Sequence, residues 1–247
     1  MGYVFITGAS SGVGREVAKA LAGQYDLILC GRNKEALLQT QAACAGSEVI
    51  LWQYDFANLT TLEQDFTALL RESQCEVTGF VHCAGALQML PMRMISLERL
   101  EAEFSVNVFA AAILTKLLAS KRVNDKALRS VVYISSNISN RGARAFSMYG
   151  ASKAALDGLM RNLAIELAPQ VRVNSVLPGS MRTKMTSQIF NELKSMDKMS
   201  QTFPGGVGTP RQIARVVRFL LSDEADWING QQLTVDGGRN IDLTERE

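Results

Sequence analysis

Cysteine is scarce in this chain, with four residues in 247: Cys30, Cys44, Cys75 and Cys83. They form none of the close pairs that hold a structural metal ion, and they are too sparse for a disulfide scaffold. We therefore expect no metal site, and we expect four free thiols in a reducing, cytoplasmic environment.

An excess of one charge and long apolar segments are missing as well. The net charge is +2, because 26 basic residues are interspersed with 24 acidic ones, which gives no reason to expect a nucleic-acid or anionic-membrane partner. No apolar run approaches the length of about 20 residues needed to cross a bilayer. The first eight residues lack the basic region and apolar core of a signal peptide. These absences predict a cytoplasmic protein.

Short runs rich in valine and isoleucine alternate with longer helical patterns along the chain. Strands are predicted at residues 3–7, 27–30, 48–52, 79–82, 130–135, 171–177 and 233–235, and helices near 14–22, 34–44, 62–73, 97–120, 147–167 and 211–221. Apolar strands separated by helices indicate a parallel sheet that is covered on both faces. Right-handed crossovers then give a doubly wound, Rossmann-type α/β fold. We expect one domain over residues 1–247.

Residues 184–208 interrupt the alternation between the sixth strand and the last helix. They include Met185, Met196 and Met199, followed by Phe203-Pro204-Gly205-Gly206. Flexible methionine side chains suit an adaptable apolar surface. The segment is predicted to be a lid over a substrate, and a plain loop or a subunit contact is the alternative.

A glycine-rich turn joins the first strand to the first helix. Glycines allow a tight turn and a close approach of the backbone to a pyrophosphate, and the helix N-terminus adds free N–H groups and a positive dipole end. The predicted dinucleotide-binding residues are Gly8, Ser10, Ser11, Gly12, Val13 and Gly14.

The residues after the second strand are Gly31-Arg32-Asn33, with no carboxylate. In dinucleotide folds an acid here binds the ribose 2′-hydroxyl, whereas an arginine accommodates a 2′-phosphate. Arg32 therefore predicts NADP(H) rather than NAD(H). The alternative is that Arg32 only begins a solvated helix.

Tyr149 and Lys153 lie four residues apart in a predicted helix, so they share one face. An ammonium beside a phenol favours the phenolate and lowers the phenol pKa from its ordinary value of about 10. Tyrosine then becomes an acid or base near neutrality. Ser136, thirteen residues before the tyrosine, follows the fifth strand. Together, Ser136, Tyr149 and Lys153 predict a site for the transfer of one proton.

The order of these motifs resembles the short-chain dehydrogenase/reductases in their compact form, and among them the 3-oxoacyl-acyl-carrier-protein reductases. The matching pieces are the T-G-x-x-x-G-x-G turn, Asp55, His82-Cys83-Ala84-Gly85, Asn107, Ser136 with Tyr149 and Lys153, Pro178-Gly179 with Thr183, and Val235-Asp236-Gly237-Gly238. One departure is His82-Cys83, because the family usually carries asparagine before the alanine and glycine. This puts in doubt a hydrogen bond that braces the central strands. His82 ends a buried strand and is not expected to be a catalyst.

The resemblance implies the strand order 3-2-1-4-5-6-7 and a role for each catalytic residue. Tyr149 would be the general acid for carbonyl reduction or the base for alcohol oxidation, and Lys153 would contact the nicotinamide ribose. Ser136 would bond the substrate oxygen, and Asn107 would position a water for proton relay. The further cofactor contacts would be Asp55 and Phe56 at the adenine, Cys83, Ala84 and Gly85 after the fourth strand, and Pro178, Gly179 and Thr183 near the nicotinamide.

The predicted function is NADP(H)-dependent hydride transfer between nicotinamide C4 and a ketone or secondary alcohol, in a homotetramer or homodimer. Arg141 and Arg144 would meet an anionic substrate or remain solvated. One alternative is a 3-oxoacyl-acyl-carrier-protein reductase, whose acidic carrier partner needs a basic patch such as that formed by Lys121, Arg122, Lys126 and Arg129. Another is a nucleotide-sensing regulator without turnover, which would be expected to have lost Tyr149 or Lys153.

Overall fold

The computed structural model describes residues 2–183, 185–186 and 204–241. Seven parallel strands form one sheet in the order β3-β2-β1-β4-β5-β6-β7, which confirms the expected topology. The strands are β1 (Tyr3–Thr7), β2 (Asp26–Gly31), β3 (Val49–Gln53), β4 (Val77–His82), β5 (Ser130–Ile134), β6 (Arg172–Pro178) and β7 (Gln232–Val235). Each strand begins and ends within two residues of its prediction.

Helices cover both faces of this sheet. They are α1 (Gly12–Leu21), α2 (Lys34–Ala42), α3 (Leu62–Ser73), α4 (Leu97–Phe104), α5 (Ala110–Ala119), α6 (Lys121–Asn124), α7 (Ser147–Glu166) and α8 (Pro210–Leu221). The helix predicted at 97–120 is divided, because residues Ser105–Phe109 form a π-helical turn between α4 and α5. Most of the predicted lid, residues 184–208, lies outside the described residues.

Two apolar cores sandwich the sheet because successive side chains of a strand point to opposite faces. In β1, Phe5 packs in the core that contains α3, α5 and α7, whereas Val4 and Ile6 pack in the core that contains α1, α2 and α8. All three side chains are fully buried. This burial on both faces explains why the strands read as continuous apolar runs.

The combined helical segment Leu97–Ala119 spans 23 residues and is apolar enough, by length and composition, to cross a membrane. The expectation that no segment reaches this length was therefore wrong for the helix taken as a whole. Ala110, Leu114 and Leu118 on this segment are fully buried in the core under the sheet. Packing against a parallel sheet accounts for the apolar composition.

Candidate active site

A cleft of about 660 Å³ runs along the carboxyl ends of the strands, where β1 separates the two halves of the sheet. Ligands of open α/β sheets bind at such a switch point. Every residue predicted to bind the cofactor lines this one cleft: Gly8, Ser10, Ser11, Gly12, Val13, Gly14, Arg32, Asp55, Phe56, Cys83, Ala84, Gly85, Tyr149, Lys153, Pro178, Gly179 and Thr183. Ser136 lines it as well, whereas Asn107 is buried behind its wall.

The glycine turn is packed too tightly for side chains. A Cβ atom on Gly14 would lie 2.4 Å from the carbonyl oxygen of Gly8. Gly8 has a φ of +67°, and a Cβ there would lie 2.8 Å from the amide nitrogen of Ala84. Glycine alone fits both positions. The turn therefore presents bare backbone to the cleft, as a bound pyrophosphate requires.

His82 joins the end of β4 to the end of β1 and to the π-helical turn. Its ring is fully buried, with Nδ1 3.0 Å from the hydroxyl oxygen of Thr7 and Nε2 3.0 Å from the carbonyl oxygen of Val106. The Thr7 oxygen also accepts hydrogen bonds from the amides of Cys83 and Ala84, each at 3.1 Å. The brace that the missing asparagine put in doubt is thus made by the histidine.

The hydrogen-bond partners determine the His82 tautomer. Because the Thr7 oxygen already accepts two bonds, its single proton is donated to Nδ1, and Nε2–H of His82 donates to Val106. Burial, and to a lesser degree the charge of Lys153, lower the His82 pKa to about 3. The ring is therefore neutral at physiological pH and acts as a structural bridge, consistent with its expected exclusion from catalysis.

Arg32 and Asp55 lie together at one end of the cleft. The Arg32 side chain is 75% exposed, and its Nη1 atom is 3.9 Å from Oδ2 of Asp55. Asp55 also accepts a hydrogen bond from the amide of Ala57 at 3.1 Å, so it caps the turn after β3. Ser10 stands over Gly31, where an added Cβ would lie 3.1 Å from the serine hydroxyl. Arg32 and Ser10 thus offer donors to an anion at this end.

Lys153 is buried beneath the middle of the cleft, with 3% of its surface exposed. Its Nζ atom donates to the carbonyl oxygen of Ile134 at 2.9 Å and lies 5.7 Å from the centre of the Tyr149 ring. A Cβ on Gly85 would lie 3.7 Å from this Nζ. The ammonium therefore occupies the space between the ends of β4 and β5 and the tyrosine.

The acid–base properties of this pair correct one expectation. Burial raises the pKa of Tyr149 to about 12, although the adjacent Ser136 lowers it, and Glu103 raises it further. Burial also lowers the Lys153 pKa to about 8, against the raising effects of Asp157, Cys83 and Glu103. The predicted fall in the phenol pKa is therefore wrong for the chain by itself, because desolvation outweighs the lowering effect of the Ser136 hydrogen bond.

Asn107 braces the loop that follows β4. Its Oδ1 atom accepts from the amide of Ala86 at 2.8 Å, and its Nδ2 atom donates to the Ala86 carbonyl at 3.0 Å and to Ser152 Oγ at 2.9 Å. Both amide protons are thus used within the protein. The predicted role of Asn107 in positioning a water stays a prediction.

The cleft is also lined by residues that were not predicted to bind the cofactor. They are mostly apolar and come from the loops after β4, β5 and β6: Leu87, Gln88, Ile138, Phe146, Met181 and Met185. Met185 belongs to the predicted lid at 184–208, whereas no motif marks Leu87, Gln88 or Met181. Arg141 and Arg144 are exposed and do not line the cleft.

The chain is similar to known proteins over nearly its whole length. A family model described as enoyl-(acyl carrier protein) reductase matches residues 8–240. The chain is 32% identical to the vibriobactin-specific 2,3-dihydro-2,3-dihydroxybenzoate dehydrogenase of Vibrio cholerae, over 97% of this chain and 96% of that protein.

Two solved structures have the same fold. A 4-hydroxyisoleucine dehydrogenase mutant complexed with NADH and succinate is 26% identical, with a TM-score of 0.88 and coverage of 98% of this chain and 100% of that one. A variant of actinorhodin polyketide ketoreductase with NADPH is 24% identical, with a TM-score of 0.89 and coverage of 97% of both chains. The two neighbours hold different nicotinamide nucleotides.

The buried His82 bridge predicts an acid-sensitive fold. The imidazole binds a proton in the unfolded chain near its ordinary pKa of about 6.5, whereas the folded protein binds it only near pH 3. Stability from this group is therefore complete above about pH 6.5 and falls as pH drops. Denaturant unfolding at pH 7.5 and 5.5 should show a loss of about 1.4 kcal/mol from this residue.

The variant His82→Asn isolates this contribution because the chain has no other histidine. It should be less stable than the wild type at pH 7.5 and should lose little further stability at pH 5.5. An equal loss in both proteins over this interval would show that His82 is not the neutral bridge described above.

Proposed function

The chain belongs to the short-chain dehydrogenase/reductase family, and on this premise we propose that it transfers a hydride between NADP(H) and a ketone or secondary alcohol. The observation that carries the proposal is the meeting of Ser136, Tyr149 and Lys153 in the wall of the cleft that begins at the glycine turn. Residues of that turn would hold the pyrophosphate of a nucleotide, and the same cleft leads from the turn to the tyrosine.

In the proposed reaction the cofactor and the protein have separate roles. A bound nicotinamide supplies the hydride for reduction or accepts it for oxidation. In reduction the Tyr149 hydroxyl donates its proton to the carbonyl oxygen, while the Ser136 hydroxyl donates a hydrogen bond to the same oxygen. The Lys153 ammonium then stabilises the phenolate that remains. With a pKa of about 8, Lys153 is mostly protonated at pH 7.

The preference for NADP(H) is proposed from the end of the cleft near β2. Arg32 is well exposed, one carboxylate oxygen of Asp55 is 3.9 Å away, and Gly31-Arg32-Asn33 at the end of β2 contains no acid. A guanidinium in this position can bond a 2′-phosphate through two of its donors, whereas an acid would repel it. Ser10 lies over Gly31 and adds a hydroxyl to the same corner.

Features of the cleft favour a ketone with an apolar body. The described side chains that line the cleft together with Tyr149 include Ile138, Phe146 and Met181, which offer little to a charged substrate. An acyl-carrier partner receives less support. Lys121, Arg122, Lys126 and Arg129 precede β5 at the amino edge of the sheet, opposite to the cleft. Reduction of an acetoacetyl thioester, compared with simple ketones, distinguishes these substrates.

We also propose that the protein forms a homo-oligomer. Much of the apolar surface of α5 and α7 is buried within one chain, including Leu114, Leu156 and Met160. Phe109 and Ile165 nevertheless remain 46% and 80% exposed, and Trp227 before β7 is 96% exposed. Association of copies would bury these side chains.

Light scattering should therefore give a mass above 27.0 kDa, and a stable monomer would contradict the proposal.

The proton donor is tested by Tyr149→Phe, which removes one oxygen and keeps the ring. Turnover of ketones should fall by about 10²- to 10⁴-fold, while fluorescence titration should show nearly unchanged NADPH binding. Tyr54→Phe is the matched control, because Tyr54 lines the same cleft away from Ser136 and Lys153. Near-normal turnover in Tyr149→Phe would remove the mechanism, and NADPH binding without turnover in the wild type would favour the nucleotide-sensing alternative.

The nucleotide preference is tested by Arg32→Asp. Loss of a charge-assisted bond to the 2′-phosphate, and its replacement by repulsion, should weaken NADPH binding by about tenfold or more. NADH binding should change much less. Arg71→Asp on the exposed surface of α3 controls for the change in net charge. Equal affinities of the wild type for NADPH and NADH would contradict the assignment to Arg32.

A further inference from the structure

Glu103 on α4 is a carboxyl group with no exposed surface. Its Oε2 atom accepts a hydrogen bond from the amide of Gln88 at 3.1 Å. Its Oε1 atom is also buried and has no hydrogen-bond partner within residues 2–183, 185–186 and 204–241. Burying a carboxyl group with half of its bonding capacity unused is costly, and such groups are concentrated at functional sites.

The position of Glu103 ties it to the loop over the cleft. Glu103 lies four residues before Asn107, and the intervening helix places both side chains on one face. Asn107 binds the backbone of Ala86, and Glu103 binds the amide of Gln88. Two neighbouring side chains of one helical segment therefore hold alternate residues of the loop, and both Ala86 and Gln88 line the cleft.

The same loop is hydrogen-bonded to the segment that precedes Tyr149 in the chain. The amide of Leu90 donates to the carbonyl of Ala145 at 3.0 Å. Ala145 has a φ of +65°, a left-handed conformation that costs a non-glycine residue free energy. Tyr149 follows four residues later, with its ring 6.2 Å from that of Phe146. Glu103 thus holds one end of a loop whose other end is bonded to the segment before Tyr149.

Glu103 also interacts electrostatically with the proton-transfer pair. Its negative charge raises the pKa values of both Tyr149 and Lys153. Burial raises the pKa of Glu103 itself, against the lowering effects of the Gln88 bond and of Lys153. The other titratable groups that act on Lys153 are Asp157 from α7 and Cys83 after β4, and Lys153 in turn acts on the neutral His82.

We propose that Glu103 is a positioning residue, which fixes the Gln88 turn over the cleft and holds a negative charge behind the Tyr149–Lys153 pair. Its functional meaning depends on the proposed oxidoreductase activity, since that pair is the proton donor of the reaction. The charge and the hydrogen bond are two separable contributions. Glu103→Gln removes the charge but keeps an acceptor for the Gln88 amide, and Glu103→Asp keeps the charge but shortens the reach to that amide.

The charge is tested by the titration of Lys153, which needs neither turnover nor a bound nucleotide. Lysine labelled with ¹³C at Cε is followed by NMR over pH, and its signal is assigned with Lys153→Met. In the wild type the midpoint should lie near 8. In Glu103→Gln the Lys153 midpoint should fall by at least about half a pH unit. The fall should be smaller than the roughly one to three units expected for a charge in direct contact. Glu101→Gln, exposed on the same helix, should leave the midpoint unchanged.

The hydrogen bond is tested by amide exchange in the peptide that contains Gln88. This amide should exchange faster in Glu103→Asp than in the wild type, by about three- to tenfold if one ordinary hydrogen bond is lost. Glu103→Gln should keep the slow exchange. Equal exchange in all three proteins would overturn the assigned hold on the loop.

The two proposals can fail separately. An unchanged Lys153 midpoint in folded Glu103→Gln overturns the electrostatic role even if the wild type reduces ketones. A wild type that binds NADPH without turnover overturns the oxidoreductase proposal, whereas a shifted midpoint would still uphold the coupling of Glu103 to Lys153.

Discussion

A buried ammonium is the constraint around which this molecule is arranged. Lys153 has 3% of its surface exposed, and its charge must be compensated because an isolated cation in a protein interior is very costly. The Ile134 carbonyl at the end of β5 accepts a hydrogen bond from the ammonium, and carboxyl groups from α4 and α7 favour its charged form. Burial still lowers the Lys153 pKa to about 8.

A second set of polar contacts joins the glycine turn to the π-helical turn between α4 and α5. Thr7, directly before the glycine turn, bonds to His82 and to the two amides that follow it. His82 continues this chain of bonds to Val106, beside Asn107 in the π-helical turn. The turn that would hold the pyrophosphate and the helical segment that braces the loop after β4 are therefore parts of one hydrogen-bonded network. Such satisfied buried networks favour a single geometry.

Much of this architecture could be predicted because its causes are local. Each strand is a short apolar run buried on both faces, so its composition alone marks it. The glycine turn reads clearly because steric limits at Gly8 and Gly14 permit no side chain. Tyr149 and Lys153 share one helix, and a four-residue interval predicts their proximity. By contrast, no local sequence pattern marks the π-helical turn that divides the predicted helix at 97–120. Within this turn the carbonyl of Val106 accepts a hydrogen bond from His82, which is distant in the sequence.

The sequence by itself determined the positions of the strands, the place of the glycine turn and the residues predicted to bind the cofactor, all of which line the cleft. The tertiary structure alone decided how those residues behave. Burial reversed the expected direction of the Tyr149 pKa, because desolvation depends on atoms contributed by many segments. It also turned His82 into a neutral bridge and brought Glu103 to Gln88, fifteen positions away in the chain. Spacing along a chain records neighbours within an element, whereas burial and charge depend on what the fold packs around them.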